Sequence, residues 1–230
     1  MASPVHAAPL SVACAANFTS AMKELATLYG KTHSTKVNCT FGSTGMLYGQ
    51  IINGAPYDLF LAADEKRPAM LHEQGLSEVP AQYARGNVVV WSNRKELSSM
   101  PNWKEVVLSP DCTRIGMANP KTAPYGQKVE AVLTAEGIRE TVTPKLAFGK
   151  SVGTSFQYAY SGAANAAFVA QSQALSVEGC TGKYWLVPEA EPVIQSACIL
   201  SNGNTMLATE FLNWLHTAAA REVINGYGYE

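Results

Sequence analysis

The chain has 230 residues, of which 47% are apolar and 15% are charged, and its formal net charge at pH 7 is −1. This length accommodates one large domain or two domains of about 100–120 residues each. The near-neutral charge excludes the basic footprint of a nucleic-acid-binding protein and a polybasic membrane patch, and the apolar runs are shorter than the ~20 residues of a membrane-spanning helix.

The first eight residues precede the first predicted strand. They have neither the charged nor the apolar region of a secretory signal, although Val5-His6-Ala7 resembles the end of an A-x-A cleavage site. We therefore expect residues 1–8 to be the remnant of a leader, or a segment added by cloning. The protein would then be a mature exported, periplasmic protein whose signal peptide is absent from this chain. A cytosolic protein with an irregular tip is the alternative.

Strand and helix patterns alternate along the chain. The predicted strands are Leu10–Ala16, Val37–Phe41, Tyr57–Ala63, Asn87–Trp91, Arg114–Ala118, Lys145–Phe148, Ala164–Ala170, Tyr184–Val187 and Val193–Leu200. Two predicted helices begin at the caps Asn17 and Asp64. Three others cover Met46–Asn53, Trp103–Leu108 and Ser155–Ser161, and a further one ends near Glu136. The last predicted helix, Met206–Ile224, is amphipathic and closes the chain. This alternation predicts an α/β protein with largely parallel sheets.

No Gly/Ser-rich or Pro-rich linker divides the chain. We therefore expect two α/β lobes joined by extended strands, with crossings near Ala84–Val90 and Glu191–Ala197. Lobe 1 would comprise residues 9–85 and 198–230, and lobe 2 residues 86–197. In such folds, ligands bind in the cleft where strand ends and helix N-termini converge.

Four turns between a strand and a helix carry neutral hydrogen-bond donors: Asn17–Ser20, Ser43–Gly45, Pro124–Gly126 and Ser151–Ser155. Free backbone N–H groups and the positive end of the helix dipole suit an oxyanion. No Lys or Arg lies between Leu10 and Met22 or between Asn38 and Gly54, so dipoles would bind an anion there. Taken singly, each turn is more typical of an ordinary helix cap.

Five cysteines show neither C-x-x-C nor metal-ligand spacing: Cys14, Cys39, Cys112, Cys180 and Cys198. We expect Cys14 and Cys39, in predicted strands, to be small buried hydrophobes. A disulfide from Cys180 to Cys198 or Cys112 is compatible with the sequence, which does not choose between them. We expect no cofactor and no metal coordinated directly by side chains.

Several segments of the chain resemble one known family. They are Ala15–Phe18, Gly42–Tyr48, Asn53–Asp58, Phe60–Asp64, Asn119-Pro120, Phe168–Ser172 and Gly226-Tyr227. From Leu10 onward, the chain is similar to the periplasmic molybdate-binding proteins of ABC importers. The resemblance implies the two-lobed fold of type II periplasmic binding proteins, each lobe a mostly parallel sheet flanked by helices. It also implies that the protein captures molybdate and tungstate and delivers them to the permease subunits of an ABC transporter.

Carried over position by position, the resemblance implies an oxyanion site built from Asn17, Ser43, Thr44, Tyr125 and Val152. Asn17 would contribute its backbone N–H and its side-chain amide. Thr44 would contribute its hydroxyl and N–H, with Ser43 beside it. Tyr125 and Val152 would donate chiefly backbone N–H groups from the second lobe. No residue of the set would be catalytic, and we expect a monomer without enzymatic activity and without a nucleic-acid partner.

One position departs from the family pattern. Many members have a tyrosine where this chain has Ala170, and the Tyr125 hydroxyl would compensate for the missing phenol.

The chemistry of molybdate explains why a pocket of donors would suit it. Molybdate accepts hydrogen bonds and donates none, whereas the proton of hydrogen phosphate would find no acceptor in such a pocket. Sulfate is also a pure acceptor, so cavity size must exclude it: each donor that the smaller ion leaves unpaired costs roughly 1–3 kcal/mol.

Other classes of function remain as alternatives. An α/β hydrolase-type enzyme with Ser43, Ser151 or Ser155 as nucleophile is disfavoured because the chain has no G-x-S-x-G elbow and no P-loop. The sensing domain of a regulator is disfavoured by the lack of a DNA-binding segment. A receptor of the same fold for sulfate, thiosulfate or phosphate stays open, since the turns favour molybdate only through the resemblance.

Overall fold

The computed structural model describes residues 9–230, so the expected leader, residues 1–8, lies outside the described residues. Ten strands lie in this range: β1 (Leu10–Ala15), β2 (Val37–Gly42), β3 (Leu59–Ala62), β4 (Ala81–Gly86), β5 (Val88–Ser92), β6 (Ile115–Ala118), β7 (Leu146–Gly149), β8 (Ala166–Ala170), β9 (Lys183–Leu186) and β10 (Val193–Ile199). The same range contains these α-helices: α1 (Thr19–His33), α2 (Thr44–Ile52), α3 (Lys66–Glu73), α4 (Trp103–Leu108), α5 (Pro124–Ala135), α6 (Arg139–Val142), α7 (Val152–Tyr160), α8 (Gln171–Ala174), α9 (Thr205–Trp214) and α10 (Ala218–Gly226). Among these helices, none has the length and apolar character needed to cross a bilayer.

The strands form two five-stranded sheets, with the orders β2-β1-β3-β10-β4 and β7-β6-β8-β5-β9. In the first sheet, β1 runs parallel to β2 and β3, and β10 runs antiparallel to β3 and β4. In the second sheet, β6 runs parallel to β7 and β8, and β5 runs antiparallel to β8 and β9. The two-lobed α/β architecture predicted from the sequence is therefore confirmed. Each sheet is mixed, with three parallel strands extended by two antiparallel pairings.

The chain crosses between the sheets twice. Asn87 alone separates β4 from β5, and residues 187–192 connect β9 to β10. The first crossing lies inside the segment predicted for it. The boundary expected between residues 197 and 198 falls inside β10, whose backbone pairs with β3 and β4 from Val193 onward. The chain thus returns to the first sheet before Val193, because the ladder holds all of β10 there.

The single helix predicted over Met206–Ile224 is wrong, since the structure has two helices, α9 and α10. The Thr217 side chain accepts a hydrogen bond from the Ala220 N–H at 3.4 Å and begins the second helix. Phe211 on α9 and Ile224 on α10 are both fully buried. The break lets each helix place its own apolar face on the first sheet, which one straight helix over this length could not do.

The core follows from the alternation of side chains along the strands. On β1, Val12 and Cys14 pack with α1, α9 and α10 on one face of the first sheet, whereas Ala13 packs on the other face with α2 and α3. A separate apolar core surrounds the second sheet and contains the buried indoles of Trp91 and Trp103. Each sheet therefore has its own core, and Ala15, Ala16 and Ala63 of the first lobe pack against the core of the second.

All five cysteines lie in the described part of the chain and are free thiols. Cys14, Cys112 and Cys198 are buried, Cys39 is half-buried and Cys180 is exposed. The disulfide considered for Cys180 is therefore absent from this structure. Burial raises the pKa of Cys39 and of Cys198 to about 12, so both thiols are protonated at neutral pH.

Candidate functional site

A small cavity lies between the two lobes, at the point where four helical segments begin. Its walls come from the 3-10 turn Ala16–Phe18 ahead of α1 and from the starts of α2, α5 and α7, together with Ala63 after β3. Its cavity volume is about 10 Å³ in this conformation, in which the lobes are in contact. All five residues predicted from the sequence line it: Asn17, Ser43, Thr44, Tyr125 and Val152. The structure thus brings together residues that are far apart along the chain.

Among the described residues, no charged side chain lines this cavity. Asp64, the carboxylate that follows β3, pairs with the guanidinium of Arg67 and accepts a hydrogen bond from the Arg67 N–H at 2.9 Å. Its side chain therefore binds the first turn of α3, and its charge is balanced, although Glu65, not the predicted Asp64, holds the N-cap position. The helix N-termini direct their positive ends at the cavity, which makes it favourable to an anion without a cationic side chain.

The start of α2 contributes two buried hydroxyl groups. Ser43 caps the helix, accepting a hydrogen bond from the Met46 N–H at 3.4 Å. Thr44 Oγ1 accepts from the Ala63 N–H at 3.1 Å, which ties the helix to the end of β3. Each hydroxyl uses an oxygen lone pair in these bonds, so its hydrogen is available to donate. The helix begins two residues earlier than predicted, because Ser43 is the cap.

Asn17 is placed differently from the prediction. It lies within the 3-10 turn and does not cap α1 with its side chain, so the predicted cap is wrong. Its amide nitrogen donates to Gln195 Oε1 and to Tyr229 Oη, both at 2.9 Å. These two bonds use both amide hydrogens. The donor that Asn17 can offer to the cavity is its backbone N–H, because the first N–H groups of a helical turn have no partner inside it.

The start of α5 supplies the wall from the second lobe. Pro124 is the first helical residue and has no N–H, so the first free donors are the N–H groups of Tyr125 and Gly126. The Tyr125 hydroxyl is buried, has no hydrogen-bond partner in the described part of the chain, and lies against Gly86 at the first crossing. Burial raises the pKa of this phenol well above its ordinary value, so it stays protonated. It stays a prediction that this hydroxyl compensates for the phenol that is missing because position 170 is alanine.

The start of α7 is held by a residue that sequence reasoning missed. Ser151 caps the helix, accepting from the Thr154 N–H at 3.2 Å, and Val152 is its first residue. Buried Gln173 accepts from the Ala170 N–H at 3.0 Å and donates to the Val152 carbonyl at 3.3 Å. It thereby fixes Val152 relative to the end of β8. A single glutamine after a strand gives no distinctive sequence signal.

The two lobes touch directly at the edge of the cavity. The Gly45 N–H, at the start of α2, donates to the Thr122 carbonyl in the loop before α5, at 2.9 Å. A Cβ atom on Gly45 would stand 2.9 Å from that oxygen and 3.1 Å from Thr122 Cα. Only glycine permits this approach without displacing backbone. The described conformation is therefore one in which the lobes are in contact.

A larger open groove adjoins the cavity and shares Ala63 and Pro124 with it. Its volume is about 650 Å³, and both signs of charge line it: Asp64, Glu65, Lys66, Arg85, Lys128 and Glu191. The mixture of charges gives it no concentrated positive potential. The small cavity, not the groove, is the candidate site for an anion.

The serine nucleophile of the enzyme alternative finds no support in the geometry. Ser43 and Ser151 cap helices, and Ser155 is fully buried with its hydroxyl donating to the Phe168 carbonyl at 2.9 Å. Within residues 9–230, no histidine is hydrogen-bonded to any of these serines, so the nucleophile–base pair of covalent catalysis is not formed. The same residues contain no group of three or more His, Cys, Asp or Glu that could hold a metal ion.

Comparison with known proteins adds independent information. Residues 10–230 match the family described as bacterial extracellular solute-binding protein. The chain is 37% identical to a protein named molybdate-binding protein ModA from Rhodobacter capsulatus, over 100% of this chain and 91% of the relative. It is 38% identical to the protein of the same name from Azotobacter vinelandii, over 100% and 92% of the two chains. Its structure is similar to that of the A. vinelandii periplasmic molybdate-binding protein, with a TM-score of 0.88 and 33% identity over 96% of this chain and 98% of the other.

Proposed function

Because this chain belongs to the bacterial extracellular solute-binding proteins, and within them to the molybdate-binding proteins, we propose that it captures molybdate in the periplasm and delivers it to an ABC permease. The observation that carries the proposal is the convergence of four helical N-termini on one small cavity without a charged side chain. Such a cavity binds a dianion through hydrogen bonds and helix dipoles. Contact between the lobes then gives the loaded receptor one shape for the permease to recognise.

The donors of the cavity also support selectivity. Backbone N–H groups donate only, and the oxygen of Thr44 already accepts from Ala63, so the proton of hydrogen phosphate finds few acceptors. Tungstate has the charge and tetrahedral shape of molybdate, and we propose that it binds as well. Sulfate is smaller and would leave donors unpaired, at roughly 1–3 kcal/mol for each.

We further propose that the protein acts as a monomer, catalyses no reaction and needs no cofactor. That it catalyses no reaction is supported by the nearby serines, which are used as helix caps or as a buried hydrogen-bond donor.

A calorimetric titration of the protein with molybdate, tungstate, sulfate and phosphate tests the proposal. We expect molybdate and tungstate to bind about a hundredfold or more tightly than sulfate, which corresponds to two lost hydrogen bonds, and phosphate to bind weakest. Equal affinity for all four ions would contradict the selectivity. Preference for sulfate or phosphate would favour the alternative receptor, and binding of none would remove the function.

Replacing Thr44 with valine is expected to weaken molybdate binding by about tenfold or more, because a hydroxyl donor is lost while the shape is kept. The substitution also leaves the buried Ala63 N–H without its acceptor, so the free energy of unfolding should fall by about 1–3 kcal/mol. Titration calorimetry and urea denaturation measure the two effects. Thr44→Ser keeps the hydroxyl and serves as the control; equal losses in both variants would show that the hydroxyl is not the cause.

A further inference from the structure

Four buried polar side chains form a connected hydrogen-bond network behind the cavity. We call Asn17, Ser172, Gln195 and Tyr229 the hinge network; none of them is more than 3% exposed. Asn17 follows β1, Gln195 lies on β10, and Tyr229 follows α10, whereas Ser172 lies on α8, directly after β8 of the second sheet. The network therefore links the two lobes at the back of the site.

Asn17 is held at two points. Its carbonyl accepts from Ser172 Oγ at 2.7 Å, and Tyr229 Oη lies 2.9 Å from the same carbonyl and 3.0 Å from Ser172 Oγ. The phenol has one hydrogen, so it donates to one of these oxygens at a time. If either hydroxyl were missing, the other could still donate to the carbonyl. The Asn17 amide donates to Gln195, whose own amide nitrogen donates to the Val193 carbonyl at 2.9 Å.

Tyr229 is itself fixed to the crossing between the lobes. Beside it, the Arg85 N–H donates to the Glu230 carbonyl at 2.8 Å and the Glu230 N–H donates to the Arg85 carbonyl at 3.0 Å, which pairs this segment with β4. The Tyr229 ring packs edge-on against Phe18, with ring centroids 5.0 Å apart. Burial raises the pKa of its phenol above the ordinary value, so the hydroxyl is a permanent donor at neutral pH.

We propose that Tyr229 and Ser172 are positioning residues for anion capture: they hold the Asn17 carbonyl and thereby restrict the backbone torsions of Asn17, which set the direction of its N–H toward the bound anion. That N–H belongs to the preceding peptide unit, whose Ala16 carbonyl accepts from Thr19 Oγ1 at 2.8 Å. Because Ser172 belongs to the second lobe, both hydroxyls reach the Asn17 carbonyl only when the lobes are together. The inference rests on the proposed function and adds two residues, neither of which lines the cavity. The Asn17 side chain, on this account, anchors the donor and does not contact the anion.

Molybdate titrations of the full chain and of Tyr229→Phe, Ser172→Ala and the double variant test the inference. Each single substitution leaves one hydroxyl for the Asn17 carbonyl, so we expect about a threefold loss of affinity. The double variant leaves none, and we expect about a hundredfold loss, well above the product of the single effects. A residue that only stabilises the fold would lower the melting temperature without producing this excess.

Tyr83→Phe is the matched control. Tyr83 is also 3% exposed and packs edge-on against Phe18, with centroids 5.2 Å apart, but its buried hydroxyl has no hydrogen-bond partner among residues 9–230. Its loss should leave the affinity unchanged.

The outcomes separate the inference from the function on which it rests. A folded double variant whose loss of affinity is no greater than the product of the two single losses, about tenfold, overturns the inference and leaves the function intact. If the double variant does not fold, Tyr229→Phe decides: weaker binding than Tyr83→Phe supports the inference, and equal binding overturns it. An unsubstituted chain that binds no molybdate overturns both.

Discussion

Replacing Ala16 with aspartate is expected to abolish molybdate binding, with a loss of affinity of about a thousandfold or more. Ala16 lines the cavity and is 7% exposed. A carboxylate there would stand close to the bound dianion, and two unit charges about 4 Å apart repel by about 4 kcal/mol at an effective dielectric constant of about 20. That energy alone is about a thousandfold in affinity. The carboxylate would also occupy the helix N-termini that otherwise bind the anion.

Ala16→Asn is the control for this substitution, because asparagine has nearly the same shape and no charge. It should lose much less affinity than the aspartate variant. Thermal unfolding gives a second measurement: at a thousandfold excess over Kd, molybdate should stabilise a binding-competent protein by about 4 kcal/mol, and should leave the aspartate variant unaffected. Similar binding by the two variants would contradict a site that works without counter-charge.

Gly45→Val is expected to weaken molybdate binding by about a hundredfold, because it prevents the lobes from meeting. The new Cβ would lie 2.9 Å from the Thr122 carbonyl oxygen and 3.1 Å from Thr122 Cα, both in the opposite lobe. These are backbone atoms, so relief requires the lobes to part. Parted lobes lose the hydrogen bond from the Gly45 N–H and withdraw the donors of Tyr125 and Val152 from the anion, at about 1–1.5 kcal/mol for each bond.

Gly49→Val is the matched control, since Gly49 lies on the same helix and a Cβ there would meet nothing within 4 Å. Valine has a higher helix propensity than glycine, so this variant should be as stable as the unsubstituted chain or slightly more so. Its affinity should not change. Small-angle scattering with saturating molybdate should show a more open molecule for Gly45→Val alone. If both variants bind alike, contact at Gly45 is not required for capture.

Local patterns were enough to predict the donor-rich turns that border the candidate site, because each turn is a local feature. Ser43 and Ser151 cap helices through bonds to residues three positions ahead, so their role is visible in a short stretch of sequence. The strand ends that precede them follow from apolar runs. Once a two-lobed fold with helices after the strands is assumed, the helix starts must face the cleft. The resemblance then selected which residue of each turn to name.

The remaining errors and omissions share one cause, which is dependence on contacts between distant segments. The sequence led us to expect that the Asn17 side-chain amide binds the anion. In the structure, both hydrogens of this amide are donated to Gln195 and Tyr229, which lie 178 and 212 residues away along the chain. Gln173 holds Val152 from another element, and nothing in its sequence neighbourhood marks it.

The sequence by itself therefore determined the alternation of strands and helices, the α/β class and the donor-rich turns, because apolar periodicity and helix capping act over a few residues. Only the tertiary structure decided where the chain changes sheets before Val193, that the last helical region breaks at Thr217, and that Asn17 offers its backbone rather than its side chain. Backbone pairing, burial of two helix faces and a network from both lobes decide these features. Each of these features depends on contacts between segments that meet only after folding.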